Sequence, residues 1–443
     1  MAFMIKIIIS IIWFLIFLKL LFFWIWLWQL KEYHWGRFKA HFETQKIRKF
    51  LFSFLGLRCP KLTPKVILIL AAGIIFAGLT SGVGPILLLT LLILAPAISS
   101  FLVLIFQIPA NIFIKRALKK ARKKREQLKD LIIVGITGSY GKSSTKEFLA
   151  TILSEKFSVL KTKKNINAEI GIAKTILNEL NSEHQIFIVE IGAYERGKIK
   201  EVCQMLQPKI GILTGINEQH LSTFGSLENI IKAKNEILEC SEIQIKYNQL
   251  NLKAADIRIE KEFIFFKINN IDFKVNLLGK HNIDNILLAA FCAQKLGMSL
   301  EEISKACLKI KPEQGGMRLL KGEGPVIVDS SYSANPDGVI ADLEYLKLYS
   351  GRRIIVMPCL IELGSAAKEV HQRIGRKIAE VCNLAIITTR DYFKSVEVGP
   401  RRIYLIEKPR EIVKKLKEFQ DKDDVVLLEG RVPREIIKYM SSI

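Results

Sequence analysis

No C-x-x-C pair occurs in this chain. Its seven cysteines stand singly at 59, 203, 240, 292, 307, 359 and 382. Such spacing supplies neither the ligands of a zinc ribbon nor the dithiol of a redox motif. Scattered cysteines of this kind are read as small core residues in a reducing compartment. Internal repeats are missing too, so a repeat architecture is not expected. Strong charge bias is absent from most of the chain as well. The total is +23, but residues 31–65 carry +7, residues 109–130 another +7, and Lys6 and Lys19 add two. Only +7 remains for everything after residue 130. An ordinary solvated surface accounts for that, and no nucleic-acid partner is expected.

Long apolar runs are plentiful, in contrast. Residues 4–30 are almost wholly apolar and end in the tryptophan-rich "WIWLWQLKEYHW". About 20 helical residues cross a hydrocarbon core, so this run is long enough. A cleaved signal peptide is the rival reading, but its apolar core would be shorter, about 7–15 residues. The aromatic end reads as an interfacial belt. Residues 62–81 and 83–108 form the next two runs, and Ser81-Gly82-Val83-Gly84-Pro85 suits a hairpin turn between them. Three spans then place both basic stretches on one side, which the positive-inside rule makes cytoplasmic. The expectation is a multi-pass protein of the inner or plasma membrane, residues 1–129, with the remainder cytoplasmic. The segment "IKRALKKARKKREQLK" (114–129) reads as a helix on anionic headgroups, with a charged linker as the alternative.

From residue 131 short β-branched runs alternate with helical stretches. Residues 131–136, 186–190 and 209–213 read as buried parallel strands. A second set follows at 325–329, 353–357, 384–388 and 425–428, with helical runs at 337–348, 365–381 and 409–419. The fold class is therefore α/β: two domains, 130–311 and 312–443, divided where "KPEQGG" breaks the periodicity.

The first strand runs into "GITGSYGKSST" (135–145). The common loop G-x-x-x-x-G-K-[ST] is not there: Ile136 occupies its first glycine position, and the glycine stands at Gly138. Strand, glycine-rich loop and helix remain the context in which backbone amides and a helix N-terminus cradle phosphate. Gly138, Ser139, Tyr140, Gly141, Lys142, Ser143 and Ser144 are thus candidate nucleotide-binding residues. Lys142 is placed to reach the β- and γ-phosphates and Ser143 to hold Mg²⁺.

The variant loop T-G-S-Y-G-K-S-S resembles that of the Mur ligase family. Further segments resemble the family's in the same order: "KNINAEIG" (164–171), "VEIGAYERGKI" (189–199), "EQHLSTFGSLENIIKAKNEI" (218–237), "LLGKHNIDNILLAA" (277–290), "VDSSYSANPDG" (328–338), and "IELG" with His371. The branch most resembled adds D-alanyl-D-alanine to the UDP-N-acetylmuramoyl tripeptide. The resemblance implies a P-loop central domain and a Rossmann-like C-terminal domain. It also implies ATP-dependent joining of a carboxylate to an amine through an acyl phosphate.

Roles for particular residues follow from the resemblance alone. Glu190 would hold magnesium with Ser143. His220 would help hold a second magnesium, and Lys234 would carry CO₂ as a carbamate that acts as a further ligand. Lys142, Glu190, His220 and Lys234 are the implied catalytic set. Asn285 matches the residue that meets adenine, Arg318 one that reaches over the phosphates, and Asp329 a ribose-binding acid. Asn165, Asn167 and Asn335 match substrate-binding positions.

Some positions break the family's pattern. "TGINEQH" has Gly215 and Asn217 where Asn and Gly are usual. Pro358 and Cys359 replace Gly and Asp, and Glu429 replaces a lysine near the expected acceptor carboxylate. Apolar spans also stand where the family has a UDP-binding domain. The donor expected is therefore a UDP- or lipid-linked peptidoglycan precursor, and the acceptor an amino acid or dipeptide. An anchored poly-γ-glutamate-type ligase and a non-catalytic nucleotide-dependent scaffold are the alternatives.

Overall fold

The computed structural model describes residues 2–40, 58–320, 324–332, 334–397, 402–419 and 421–440. Residues 41–57, inside the first basic stretch, lie outside that set. The chain divides into two compact units, Met1–Ala117 and Leu118–Ile443.

The first unit is helical. Helix α1 (Ala2–Leu30) packs against α2 (Pro64–Thr80) and α3 (Pro85–Ile93). Phe17, Leu21, Trp24 and Trp28 of α1 are buried among Val66, Ile69 and Leu88. A methyl at Gly73 would meet the Leu21 side chain at 2.4 Å, so glycine permits the close approach of α2. The opposite face of α1 exposes Met4, Ile5, Ile8, Ile11, Ile12 and Leu15. Trp24 and Trp28 are not an outward belt. Trp28 stacks on Phe38 with ring centroids 4.1 Å apart and donates through Nε1 to Ser100 Oγ at 3.0 Å.

The run at 83–108 is broken at Leu94. Pro96 explains this, because its ring clashes with the carbonyl four residues back and its nitrogen donates no bond. The next helix, α4 (Ala95–Glu126), continues through the basic segment without interruption. Among the described residues two helices have the length and apolarity to cross a bilayer, Met4–Leu30 and Ala95–Glu126, while Pro64–Thr80 is shorter. The basic segment is thus the continuation of an apolar helix. Within the second unit its end packs on protein: Ala121 is buried, and Lys124 Nζ donates to the Leu177 carbonyl at 2.9 Å.

Among the described residues the second unit holds three sheets. The central one has the order β2-β3-β1-β4-β5 and is parallel throughout: β2 (Val159–Lys161), β3 (Ile186–Glu190), β1 (Ile132–Thr137), β4 (Ile210–Leu213) and β5 (Ile243–Lys246). Alternate residues serve its two faces. Val134, Ile136, Ile186 and Ile188 join one core, whereas Ile133, Phe187 and Val189 join the other. A small antiparallel sheet follows: β6 (Ala255–Ile259), β7 (Ile264–Ile268) and β8 (Ile271–Val275). The last sheet has the order β13-β12-β11-β14-β10-β9, parallel except for β9. Its strands are β9 (Arg318–Leu320), β10 (Val326–Ser330), β11 (Arg353–Met357), β12 (Leu384–Ile387), β13 (Arg402–Leu405) and β14 (Val425–Glu429).

This bears out the expected α/β class and every strand expected from the apolar runs. The unexpected strands are short, peripheral or amphipathic. β2 has three residues, and β6 is exposed along most of its length. Such segments lack the continuous apolar run that marks a doubly covered strand.

Candidate active site

The phosphate-type loop links β1 to α5 (Lys142–Leu153). Gly141 caps α5 with φ +77°, and a methyl there would lie 2.4 Å from Asn285 Oδ1. Both conformation and space therefore demand glycine. Lys142 Nζ donates to the carbonyls of Gly138 at 2.8 Å and Ser139 at 3.1 Å. Its ammonium is thus held inside the loop, and burial lowers its pKa while Glu190 opposes that. Ser139 N–H donates to the Gly215 carbonyl at 2.7 Å, and Tyr140 bridges to Gly215. Ser143 and Ser144 follow in the first helical turn, whose amides have no intrahelical acceptor.

Glu190 ends β3 beside this helix and is nearly buried. Ser143 Oγ donates to its Oε2 at 2.9 Å, and Asn167 Nδ2 to its Oε1 at 3.3 Å. Lys146, one turn further along α5 and almost wholly buried, lies 3.3 Å from the same Oε2 and 3.4 Å from Glu147 Oε1. A hydroxyl and a carboxylate at a phosphate-type loop form a hard-oxygen set that suits Mg²⁺, an ion that retains waters and shares phosphate oxygens. Among the described residues no group of three or more His, Cys, Asp or Glu forms a metal cage. The donor chemistry therefore fits an ion held jointly with phosphate.

Lys234 lies on α6 (Leu227–Glu239) and is 2% exposed. Its Nζ donates to the Ala193 carbonyl at 3.3 Å, and among the described residues no carboxylate is within ion-pair range. Burial, with Lys142 adding repulsion, lowers its pKa to about 7. His220 takes φ +68°, an unusual conformation for a residue with a side chain. Its Nδ1 lies 2.7 Å from Glu362 Oε2, and its ring meets Tyr194 edge-on at 4.8 Å. Burial lowers the His220 pKa, although Glu362 opposes the shift.

The other expected residues fall into two groups. Asn285 faces the loop: Thr145 Oγ1 donates to its Oδ1 at 3.3 Å, from beneath Gly141. Arg318 and Asp329 are cross-strand partners on β9 and β10, paired through Arg318 Nε at 2.9 Å and Nη2 at 2.7 Å. The remaining residues bring the last sheet to the central one. Asn335 caps the helix Pro336–Leu346 through Gly338 N–H and accepts from Asn217 Nδ2 at 3.0 Å. Asn165, with φ +67°, accepts from the Tyr332 hydroxyl.

Two stretches match models of this chemistry: the Mur ligase middle domain over residues 136–252, and the Mur ligase glutamate ligase domain over 317–432. Together they cover just over half of the chain. The chain belongs to the Mur ligase family. A UDP-N-acetylmuramoyl-tripeptide–D-alanyl-D-alanine ligase from Synechocystis is 31% identical over 56% of this chain and 59% of its own length. The enzyme of the same description from Escherichia coli is 28% identical, over 55% and 61%. The chain thus spans about six-tenths of the length of these curated relatives. The crystal structure of a MurF ligase from Thermotoga maritima in complex with ADP shares the fold, with a TM-score of 0.67 at 24% identity, covering 74% of this chain and 83% of that one.

The departures from the usual Mur ligase pattern have local physical reasons. A methyl at Gly215 would meet the Tyr140 ring at 1.9 Å, so a larger residue there would require the ring over the loop to move. Asn217 faces the last sheet and donates to both Asn335 and, at 3.1 Å, Asp337. Cys359 is a buried core residue whose N–H donates to Thr389 Oγ1 at 2.8 Å. Glu429 is not an exposed strand-end acid. It is buried at the end of β14, and burial with Asp342 beside it raises its pKa well above the usual carboxylate range.

Lys146 has no role in the sequence reading, and Glu362 stands there only within the "IELG" segment. A lysine on the apolar, inward face of α5, next to Phe148 and Leu149, was the available signal for the first. For Glu362 the "IELG" segment is the signal, but its contact with His220 is not legible there, because the two residues stand 142 apart in sequence.

Proposed function

We propose that this chain is a membrane-anchored, ATP-dependent ligase. It joins the carboxylate of a peptidoglycan precursor to the amine of an amino acid or of D-alanyl-D-alanine, through an acyl phosphate. The single observation that carries the reading is Lys234. A buried lysine with no carboxylate partner destabilises a fold, and a pKa of about 7 leaves much of it as free amine. Free amine adds CO₂ to give a carbamate and a proton, which converts a repelled cation into an anionic metal ligand. Neither a nucleotide switch nor a scaffold needs that conversion.

In this reading Lys142 and the loop amides hold the ATP phosphates. Magnesium, held by Ser143 and Glu190 and by His220 with carbamylated Lys234, would neutralise charge as the donor carboxylate and the γ-phosphate meet. Contacts of Asn217 with Asn335 and of Asn165 with Tyr332 tie the last domain to the central one, and closure of this kind would help to shield an acyl phosphate from water. Asn285 supports the loop, and Arg318 and Asp329 offer a guanidinium and a carboxylate at the nucleotide's edge.

The exposed apolar face of α1 and the apolar length of α4 support insertion in the inner or plasma membrane, with the α/β unit cytoplasmic. A bilayer is the medium in which such a face is stable. Both a UDP-linked and a lipid-linked donor fit this placement.

The test is ADP release by the detergent-solubilised protein with Mg²⁺ and bicarbonate. Donors are the UDP-muramoyl tripeptide or a lipid-linked precursor; acceptors are D-alanyl-D-alanine or L-glutamate. Release that needs both a muramoyl donor and an acceptor is expected. Turnover on glutamate alone would move the protein to the poly-γ-glutamate type, and no turnover with any pair would leave the scaffold. Lys234→Ala should abolish turnover yet keep nucleotide binding, with acetate restoring part of the rate. A fully active variant would remove the carbamate from the mechanism.

A further inference from the structure

Glu362 belongs to the loop between β11 and the helix Ala367–Val381 in the last sheet's domain, whereas His220 belongs to the central domain. Both have left-handed backbones, with φ +66° and +68°. Neither is glycine, so each conformation is disfavoured and persists only where surrounding contacts impose it. Those contacts are present. Ser222 N–H donates to the Glu362 carbonyl at 3.2 Å, and Gly364 packs against Ser222 with only 3.2 Å left for a methyl. His371 braces the same loop from behind, accepting at Nε2 from Leu360 N–H at 3.0 Å. Arg373 pairs with Glu218 at 3.3 Å. Two strained residues are therefore aimed at each other across a domain boundary, and the result is one 2.7 Å hydrogen bond.

We propose that Glu362 is the positioning residue for His220: it accepts a hydrogen bond from Nδ1–H when the domains meet and thereby leaves Nε2 as the basic nitrogen. A histidine that binds a cation needs its tautomer and ring orientation fixed by a partner on the other nitrogen, commonly a carboxylate. The partner here comes from the other domain. Cation binding at His220 is then coupled to domain closure, so the second metal site is complete only in the closed enzyme. This inference rests on the reading of His220 as a metal-holding residue.

The experiment counts Mn²⁺ ions bound to the full-length, detergent-solubilised chain with a non-hydrolysable ATP analogue, by electron paramagnetic resonance. Wild type should bind two ions and His220→Ala one. Glu362→Ala should weaken the second ion about 10- to 100-fold and leave the first unchanged. Glu362→Gln still offers an acceptor oxygen and should recover most of the loss. Wild-type affinity for both ions in Glu362→Ala would overturn the proposal, as would equal loss at the first site. A different pattern marks failure of the underlying reading: one ion in wild type, unchanged by His220→Ala.

Discussion

Two corners of the proposed site are assembled in different ways. Ser143, Lys146, Asn167 and Glu190 all come from the central domain. They converge because β1 and β3 are adjacent parallel strands whose carboxyl ends open on one crevice. His220 and Glu362 converge only because two domains touch, and both backbones are strained where they do. The first corner is built by a sheet and stands ready. The second depends on closure. Nucleotide capture should therefore survive damage that abolishes ligation, while the reverse should not occur.

The largest effect expected is at the ready corner. Lys142→Ala removes the ammonium held between the Gly138 and Ser139 carbonyls. Losing such an electrostatic donor costs roughly 10²–10³ in turnover, and here nucleotide binding should fall with it. If fluorescent-nucleotide titration shows unchanged affinity, the loop is not the phosphate site and the comparison collapses.

Lys146→Met is next. It strands Glu190 as a buried anion with only neutral donors, and breaking a buried pair from one side costs about 3 kcal/mol. The thermal midpoint should drop by several degrees. Magnesium with nucleotide should restore more stability to this variant than to wild type, because the ion supplies the missing positive charge. Equal shifts in the two proteins would show that Lys146 and the cation do not share Glu190.

Legibility in the sequence divides along the same line. The loop, Glu190 and the central strands could be read from contiguous patterns, since a buried parallel strand leaves an apolar run and a phosphate-type loop leaves its glycines. Lys146 was harder, because a lysine in a helix looks like a solvated one until its face is known. The "IELG" segment was legible, but the partner of Glu362 was out of reach: the contact with His220 is set by domain docking, and no local period encodes that. The aromatic end of α1 misled in the opposite sense. Trp24 and Trp28 match an interfacial belt by composition, yet helix packing turns them inward.

A smaller effect tests the brace behind Glu362. His371 is fully buried, accepts from Leu360 N–H, and contacts the Ala367 carbonyl through Nδ1 at 2.6 Å. Burial lowers its pKa. The unfolded chain therefore takes up a proton near pH 6.5, before the folded one does. The stability contributed by neutral His371 is present above about pH 6.5 and is lost as pH falls through the folded pKa. His220 has the same sign, so the measurement must be differential. Thermal midpoints of wild type should decline more steeply between pH 7.5 and 5.5 than those of His371→Gln. Parallel slopes would place the brace elsewhere.

The smallest effect expected is at Glu429, where the sequence suggested an anion opposed to an acceptor carboxylate. Its carboxyl is buried beside Asp342, which in turn accepts from Ser330 Oγ at 2.5 Å. Burial and the neighbouring Asp342 raise the Glu429 pKa well above the usual carboxylate range, which favours the neutral form. Glu429→Gln then exchanges one neutral group for another of nearly equal shape. Stability should change by no more than about 1 kcal/mol, and the KM for D-alanyl-D-alanine should stay within a fewfold of wild type. An ionised Glu429 would behave otherwise. Removing a buried, unpaired charge would raise the thermal midpoint markedly, and any acceptor carboxylate near it would bind more tightly. A sharp rise in midpoint together with a lower KM would therefore restore the view that this strand end discriminates against an anionic acceptor.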